Sequence, residues 1–271
     1  MKNLFRIAML ALLLFVQRSN ADVLVLVHGY LGAADSWDRT GITAILQQHG
    51  WTYAGVATAG PAGIGLIPIA GDGTAKSFYT VDLPSEAPVL VQVNLLHEVL
   101  NRLVLQHADE PVVLVGHSAG GVVARAALIG GGHPSVKTLI TIASPHLGTG
   151  RAEEALDAID IPFPISVLTD FFGGSTYHTA VRSRSLYADL MRPYPGSLLY
   201  WLNAQPHPDI RYISVVRAMD GPGDFIVPPY SQDMNNVPVL QGRSALVAVP
   251  AQHGLEPLDG SVLAGLLDDT R

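Results

Sequence analysis

A chain of 271 residues, 48% of them hydrophobic, has the length of one large α/β domain or two small ones and enough apolar residues for a sizeable core. Its formal net charge of −7 disfavours nucleic acid and anionic membrane surfaces as partners. The absence of cysteine excludes a disulfide framework, which a core of this size does not need.

The first 21 residues read as a targeting segment rather than as part of the fold. Lys2 and Arg6 form a basic start, Ile7 to Val16 a short apolar core, and Ser19-Asn20-Ala21 offers small residues where a signal peptidase reads. About ten apolar residues are too few for a membrane span, which takes roughly 20. The expectation is a secretory signal cleaved after Ala21, leaving a secreted or periplasmic chain. Cleavage removes Lys2, Arg6 and Arg18 and no acids, which moves the formal charge from −7 to −10.

The mature chain opens on Val23-Leu24-Val25-Leu26-Val27, a continuous apolar run of the kind buried on both faces of a parallel sheet. His28-Gly29-Tyr30-Leu31-Gly32 follows it. Asp38 to His49 reads as a helix ended by Gly50, and Trp51 to Ala57 as a second strand. Thr58 to Ser77 reads as a long Gly/Pro loop, and Phe78 to Leu83 as a short extended piece. Pro88 to His107 predicts a long helix with a largely apolar inner face.

Pro111 to Gly121 organises the rest. An apolar, β-branched run ends in Gly116-His117-Ser118-Ala119-Gly120, and a helix-compatible segment, Val122 to Ile129, follows. Strand, sharp turn and helix make a nucleophile elbow, in which a strained backbone lifts a serine hydroxyl clear of the sheet. At Gly116 and Gly120 a side chain would collide across the turn. The bare G-x-S-x-G pattern arises by chance, and its place between strand and helix is what makes it specific.

Beyond the elbow, Val136 to Ala143 predicts another buried strand, running into Ser144-Pro145-His146-Leu147-Gly148. Arg151 to Asp209 then breaks the strand–helix rhythm with apolar residues that include Phe163, Phe171 and Phe172. It reads as a helical cap, placed at residues 150–209 of a single domain spanning residues 22–271. Strands resume at Ile210 to Val216 and Ala245 to Val249, and Gly260 to Asp269 predicts a final helix.

A serine hydroxyl needs a neutral imidazole to take its proton, and that imidazole needs a third group to hold it. In this type of fold the partners follow in the order serine, acid, histidine. Asp224 lies in a loop after a predicted strand, with Asp220 its near rival, and His253 is the only histidine beyond them. His28, His117 and His146 fail the order and read as supporting or loop-packing groups. Acyl transfer also needs an oxyanion hole of two backbone N–H donors. Ala119, directly after the nucleophile, supplies one. The loop after the first strand supplies the other, with Tyr30 N–H first choice and Leu31 second. Leu31, His117, Phe171 and Phe172 are the candidate substrate-binding residues.

The segments Val27 to Gly32, Gly116 to Gly121, Thr141 to Thr149, Asp224 to Pro228 and His253-Gly254 resemble the bacterial lipases of the α/β-hydrolase superfamily and their secreted esterase relatives. The resemblance implies an α/β-hydrolase fold: a mostly parallel sheet of the eight-stranded type, flanked by helices, with a cap inserted after the sixth strand. It also implies a Ser118, Asp224, His253 triad acting on medium- to long-chain acyl esters. Several bacterial lipases carry structural calcium on aspartates near the catalytic histidine. Glu256 and Asp259 follow His253 here without a clear ligand pattern, so no metal and no cofactor is expected. The expected partner is a lipid or small ester substrate, with transient contact between the cap and a lipid interface. Short-chain esterase, acyltransferase and thioesterase chemistry on the same triad, or a non-catalytic binding role, are the alternatives.

Overall fold

The computed structural model describes residues 22–60, 63–69, 76–108, 110–130, 132–160, 177–218 and 223–268. The expected signal segment lies outside the described residues, as do Phe163, Phe171, Phe172 and Asp220.

Eight strands form one sheet: β1 Asp22–Val27, β2 Thr52–Gly60, β3 Gly63–Pro68, β4 Lys76–Asp82, β5 Val112–His117, β6 Val136–Ile142, β7 Arg211–Arg217 and β8 Ser244–Val249. Their spatial order is β3-β2-β4-β1-β5-β6-β7-β8. Every neighbouring pair is parallel except β2 with β3. The uninterrupted apolar run of β1 has its explanation in this position. Val23, Val25 and Val27 enter one core layer, and Leu24 and Leu26 enter the other. A strand covered on both faces has no solvent side to leave polar.

One layer is built by α3 (Val89–Gln106) and α4 (Ala119–Ala126). In α3, Val93, Leu96, Leu100 and Leu103 recur at helical spacing and are buried against the sheet. The other layer is built by α1 (Ser36–Arg39), α2 (Ile42–Gln48) and α10 (Pro257–Asp268), through Trp37, Ile42, Leu46, Leu263 and Leu267. A short helix, α9 (Pro229–Gln232), follows β7.

Between β6 and β7 lie α5 (Gly150–Asp160), α6 (Tyr177–Arg182), α7 (Arg184–Leu190) and α8 (Leu198–Ala204). The inner face of this insert is continuous with the α3/α4 layer: Leu186, Leu190, Leu199 and Leu202 belong to the same buried cluster as Leu96 and Val122. Backbone ties reinforce it, with Thr149 N–H donating to the Leu190 carbonyl at 3.0 Å.

Three sequence expectations need correction. The predicted loop from Thr58 to Ser77 contains β3, which pairs antiparallel with β2 from Gly55↔Pro68 to Gly60↔Gly63. Glycine and proline conceal it, but an edge strand tolerates Pro68 at its end because no neighbour needs that N–H. Ile64 and Leu66 turn towards the core while Ile67 faces solvent, the alternation of a half-buried strand. The predicted helix from Asp38 to His49 is two helices, split at Gly41, whose φ is +75°. The elbow helix starts at Ala119 rather than Val122, so it begins immediately after Ser118. Among the described residues no helix is long and apolar enough to cross a membrane.

Strand position predicts stability effects. Leu114 of β5 is fully buried, so Leu114→Ala is expected to cost about 2–5 kcal/mol. Ile67 is 55% exposed on the edge strand, and Ile67→Ser is expected to stay within about 0.5 kcal/mol of the native chain. Urea unfolding of the two variants checks the contrast.

Candidate active site

Ser118 stands where β5 turns into α4, with φ +52° and ψ −127°, a backbone region that residues with side chains rarely occupy. The neighbours make it obligatory. Ser118 N–H donates to the Ile142 carbonyl of β6 at 2.8 Å. A Cβ on Gly116 would meet Gly121 Cα at 2.4 Å, and one on Gly120 would meet the His28 carbonyl at 2.1 Å. Both obstacles are backbone, so the turn admits only glycine at those positions.

The structure brings Ser118, His253 and Asp224 into one hydrogen-bonded line. His253 Nδ1–H donates to Asp224 Oδ2 at 2.7 Å, which fixes the tautomer and turns Nε2 towards Ser118 Oγ, 2.9 Å away. Asp224 is almost fully buried. Burial pushes its carboxyl up, but the hydrogen bond and charge of His253, with the N–H groups of Val227 and Ile226, outweigh it and hold the carboxyl below its ordinary value. Both carboxylate oxygens are engaged: Oδ1 accepts from Ile226 N–H (2.7 Å) and Val227 N–H (3.0 Å), and Oδ2 accepts also from Gln232 Nε2 (3.0 Å).

Ala119 opens α4, so its N–H has no intrahelical partner. Neither Ala119 N–H nor Tyr30 N–H has an acceptor among the described residues. The loop that carries Tyr30 lies against Ser118: a Cβ on Gly29 would stand 2.9 Å from Ser118 Cβ. Leu31 follows with φ +55° and an exposed side chain. His28 holds this loop from below. Its Nδ1–H donates to the Gly29 carbonyl at 2.9 Å and its Nε2 accepts Leu83 N–H at 3.1 Å, while burial keeps the imidazole pKa below its ordinary value.

His117 braces His253. Its Nε2–H donates to the His253 carbonyl at 2.9 Å, and burial, then the neighbouring His253, push its pKa down to about 3, so it stays neutral. It also lines, with Tyr30, Leu31 and Leu255, a cavity of about 230 Å³ beside the loop. His146 is fully buried, with Nε2 3.0 Å from Thr141 Oγ1, a loop-packing role.

Three residues at the site escape a reading of the sequence. Arg217, the last residue of β7, and Asp259, in the first turn of α10, form a fully buried fork: NH1 to Oδ1 at 2.6 Å and NH2 to Oδ2 at 2.8 Å. Arg217 NH2 also donates to the Gly254 carbonyl at 3.0 Å, one residue beyond His253. Its backbone N–H donates to Gln232 Oε1 at 2.8 Å, and Gln232 hands the chain of bonds on to Asp224. One arginine therefore braces the loops of Asp224 and His253 together. An arginine at a strand end carries no sequence signal for such a role, because the partner lies 42 residues away.

Because the ion pair is buried, removing one member strands the other charge. Asp259→Asn is expected to cost about 3–5 kcal/mol of stability. The double variant Arg217→Met/Asp259→Leu is expected to cost less than that single change, since no charge is then left unpaired. Denaturant titration of both checks the order.

Residues 20–157, just over half of the chain, match the family model of the PGAP1-like alpha/beta domain. The match takes in β1, the elbow and β6, and stops short of Asp224 and His253. A search of curated proteins finds no match. Among solved structures, a Lactobacillus plantarum protein described as a cell surface hydrolase is similar at TM-score 0.56 and 14% identity, covering 92% of this chain and 91% of that one. A Bacillus licheniformis lipase is similar at TM-score 0.54 and 16% identity, covering 91% and 90%. A bottromycin epimerase is similar at TM-score 0.52 and 15% identity, covering 91% of each. At these identities the likeness is one of fold, and the epimerase illustrates that this fold hosts more than one chemistry. With the sheet order, the elbow and the family match in agreement, the chain belongs to the PGAP1-like alpha/beta domain family and has the α/β-hydrolase fold.

Proposed function

We propose that the protein is a serine carboxylic-ester hydrolase of lipase type, acting through an acyl-enzyme on Ser118. The observation that carries the reading is the line Ser118 Oγ–His253 Nε2 (2.9 Å) and His253 Nδ1–Asp224 Oδ2 (2.7 Å), set beside two backbone donors. His253 takes the Ser118 proton as Oγ attacks the acyl carbonyl. The tetrahedral oxyanion is met by the N–H groups of Ala119 and Tyr30. The imidazolium, stabilised by Asp224, returns the proton to the departing alcohol oxygen. Water, deprotonated by His253, then releases the acid and restores Ser118.

The preferred substrates are medium- to long-chain acyl esters. Support comes from apolar side chains exposed on the loops that carry the chemistry: Leu31 next to Tyr30, and Phe225 and Ile226 directly after Asp224. The apolar segment from Arg151 to Asp209 completes the reading as a lid, with Phe171 and Phe172 lining an acyl groove and the lid touching a lipid interface in passing. The basic start, apolar core and small residues of positions 1–21 make the enzyme an exported one.

Ser118→Ala is expected to lower kcat on a p-nitrophenyl ester by on the order of 10⁴–10⁶, and Asp224→Asn by on the order of 10⁴, with circular dichroism unchanged in both. A substantial rate left in Ser118→Ala sinks the assignment. Asp224, held below the ordinary carboxylate range, stays ionised at neutral pH.

Acyl-chain preference has its own test. Each buried methylene is worth about 0.8 kcal/mol, so losing contact with two or three of them costs roughly ten- to fifty-fold. Phe171→Ala or Phe172→Ala is expected to lower kcat/KM by that factor for a long-chain ester and far less for butyrate. Equal losses at both lengths, with a lowered Tm, make these residues ordinary core and the protein a short-chain esterase.

A further inference from the structure

The loop that supplies the second oxyanion donor is fastened to the helical insert by a side chain the triad does not use. Tyr30 and Tyr187 of α7 meet hydroxyl to hydroxyl at 2.5 Å, with their rings edge to face at 5.4 Å and 73°. They lie 157 residues apart in the chain.

The two ends of this contact differ in rigidity. Tyr187 is buried, and its helix is held on several sides. Asp189 accepts Val89 N–H at the start of α3 (2.8 Å), the Leu190 carbonyl accepts Thr149 N–H (3.0 Å), and Leu186 and Leu190 are packed in the core. Arg182, one turn before, forks onto Glu86 at 2.7 and 3.2 Å. The Tyr30 loop is a turn without helix or strand structure, tied by His28 at the Gly29 carbonyl (2.9 Å). Leu31, next to the donor, stands at φ +55°, a conformation disfavoured for a leucine and kept only where surroundings enforce it. The Tyr30 side chain leaves the same Cα as the N–H that faces the oxyanion. Fixing the phenol therefore limits rotation of that peptide.

We propose that Tyr187 is a positioning residue for the oxyanion loop: through its hydroxyl, the insert holds Tyr30 N–H in register with Ser118. The proposal rests on the reading of Ser118 as nucleophile and of Tyr30 N–H as donor. It makes the insert part of the catalytic geometry, whatever it contributes to substrate choice. A donor that drifts weakens the transition state more than the ground state, because negative charge on the oxygen develops only there.

The test uses Tyr187→Phe, Tyr30→Phe and the double variant, each of which keeps both rings and their packing and removes only hydroxyls. Steady-state kinetics with p-nitrophenyl butyrate are measured well below Tm, beside the rate at which diethyl p-nitrophenyl phosphate phosphorylates Ser118. Each single variant is expected to lose about tenfold in kcat, less than the 10²–10³ that follows loss of a whole donor, with KM little changed. Phosphorylation is expected to slow in parallel, since its transition state places charge on the same oxygen position. The double variant is expected to be no worse than Tyr187→Phe, because Tyr30→Phe removes a bond that Tyr187→Phe has already broken. Unchanged kcat in Tyr187→Phe overturns the proposal, as do a change confined to KM, a double variant that loses the product of the two singles, or a lowered Tm with native kcat. Activity surviving Ser118→Ala is the separate result that fails the functional reading itself.

Discussion

The backbone at Ser118 is the constraint on which the site depends. A residue with a Cβ held at φ +52°, ψ −127° costs of order 1–3 kcal/mol, and an isolated chain relaxes away from it. Here the surroundings forbid relaxation. β5 is clamped between β1 and β6, Ser118 N–H is bonded to Ile142, and the glycines at 116 and 120 let backbone pass within contact distance of backbone. The stored strain lifts the hydroxyl out of the sheet edge. It also starts α4 at Ala119, so the first free N–H of the helix belongs to the residue next to Ser118.

Asp224 and His253 obey a different logic, that of buried charge. A carboxylate as buried as Asp224 survives ionised because four donors face its two oxygens. The histidine it holds sits on a loop without regular structure, and such loops drift unless tied. The tie is Arg217, whose guanidinium is neutralised by Asp259 and spends its remaining reach on the Gly254 carbonyl. A buried fork of this kind is weak evidence for net stability. Its value here is direction: a planar guanidinium fixes both distance and orientation between β7, α10 and the histidine loop.

The helical insert joins these parts rather than standing apart from them. Its inner leucines share a core layer with α3 and α4, and Tyr187 reaches the loop after β1. The loops around the triad therefore draw support from three directions. His28 holds the first strand's loop from below, Arg217 holds the acid and base loops from behind, and α7 meets the oxyanion loop from its own side.

Local chemistry made the frame and the candidate site legible from sequence. A strand buried on both faces must be apolar throughout, so Val23 to Val27 announces itself. An elbow must have glycine where backbones touch, so Gly116 and Gly120 flank the serine. Chain order then leaves His253 as the only base. The hairpin strand β3 was obscured because glycine and proline mark turns and edge strands alike, and only pairing with β2 distinguishes them. Tertiary structure alone decided which polar groups support the site. Gln232 beneath Asp224, Asp259 behind Arg217 and Tyr187 against Tyr30 are ordinary residues in the sequence. Their roles come from contacts between segments 8, 42 and 157 residues apart. Hydrophobic periodicity records which face of an element is buried, but a hydrogen bond is directional and needs both partners placed within a few tenths of an ångström. That placement is a property of the packed sheet and its helices, and no local pattern encodes it.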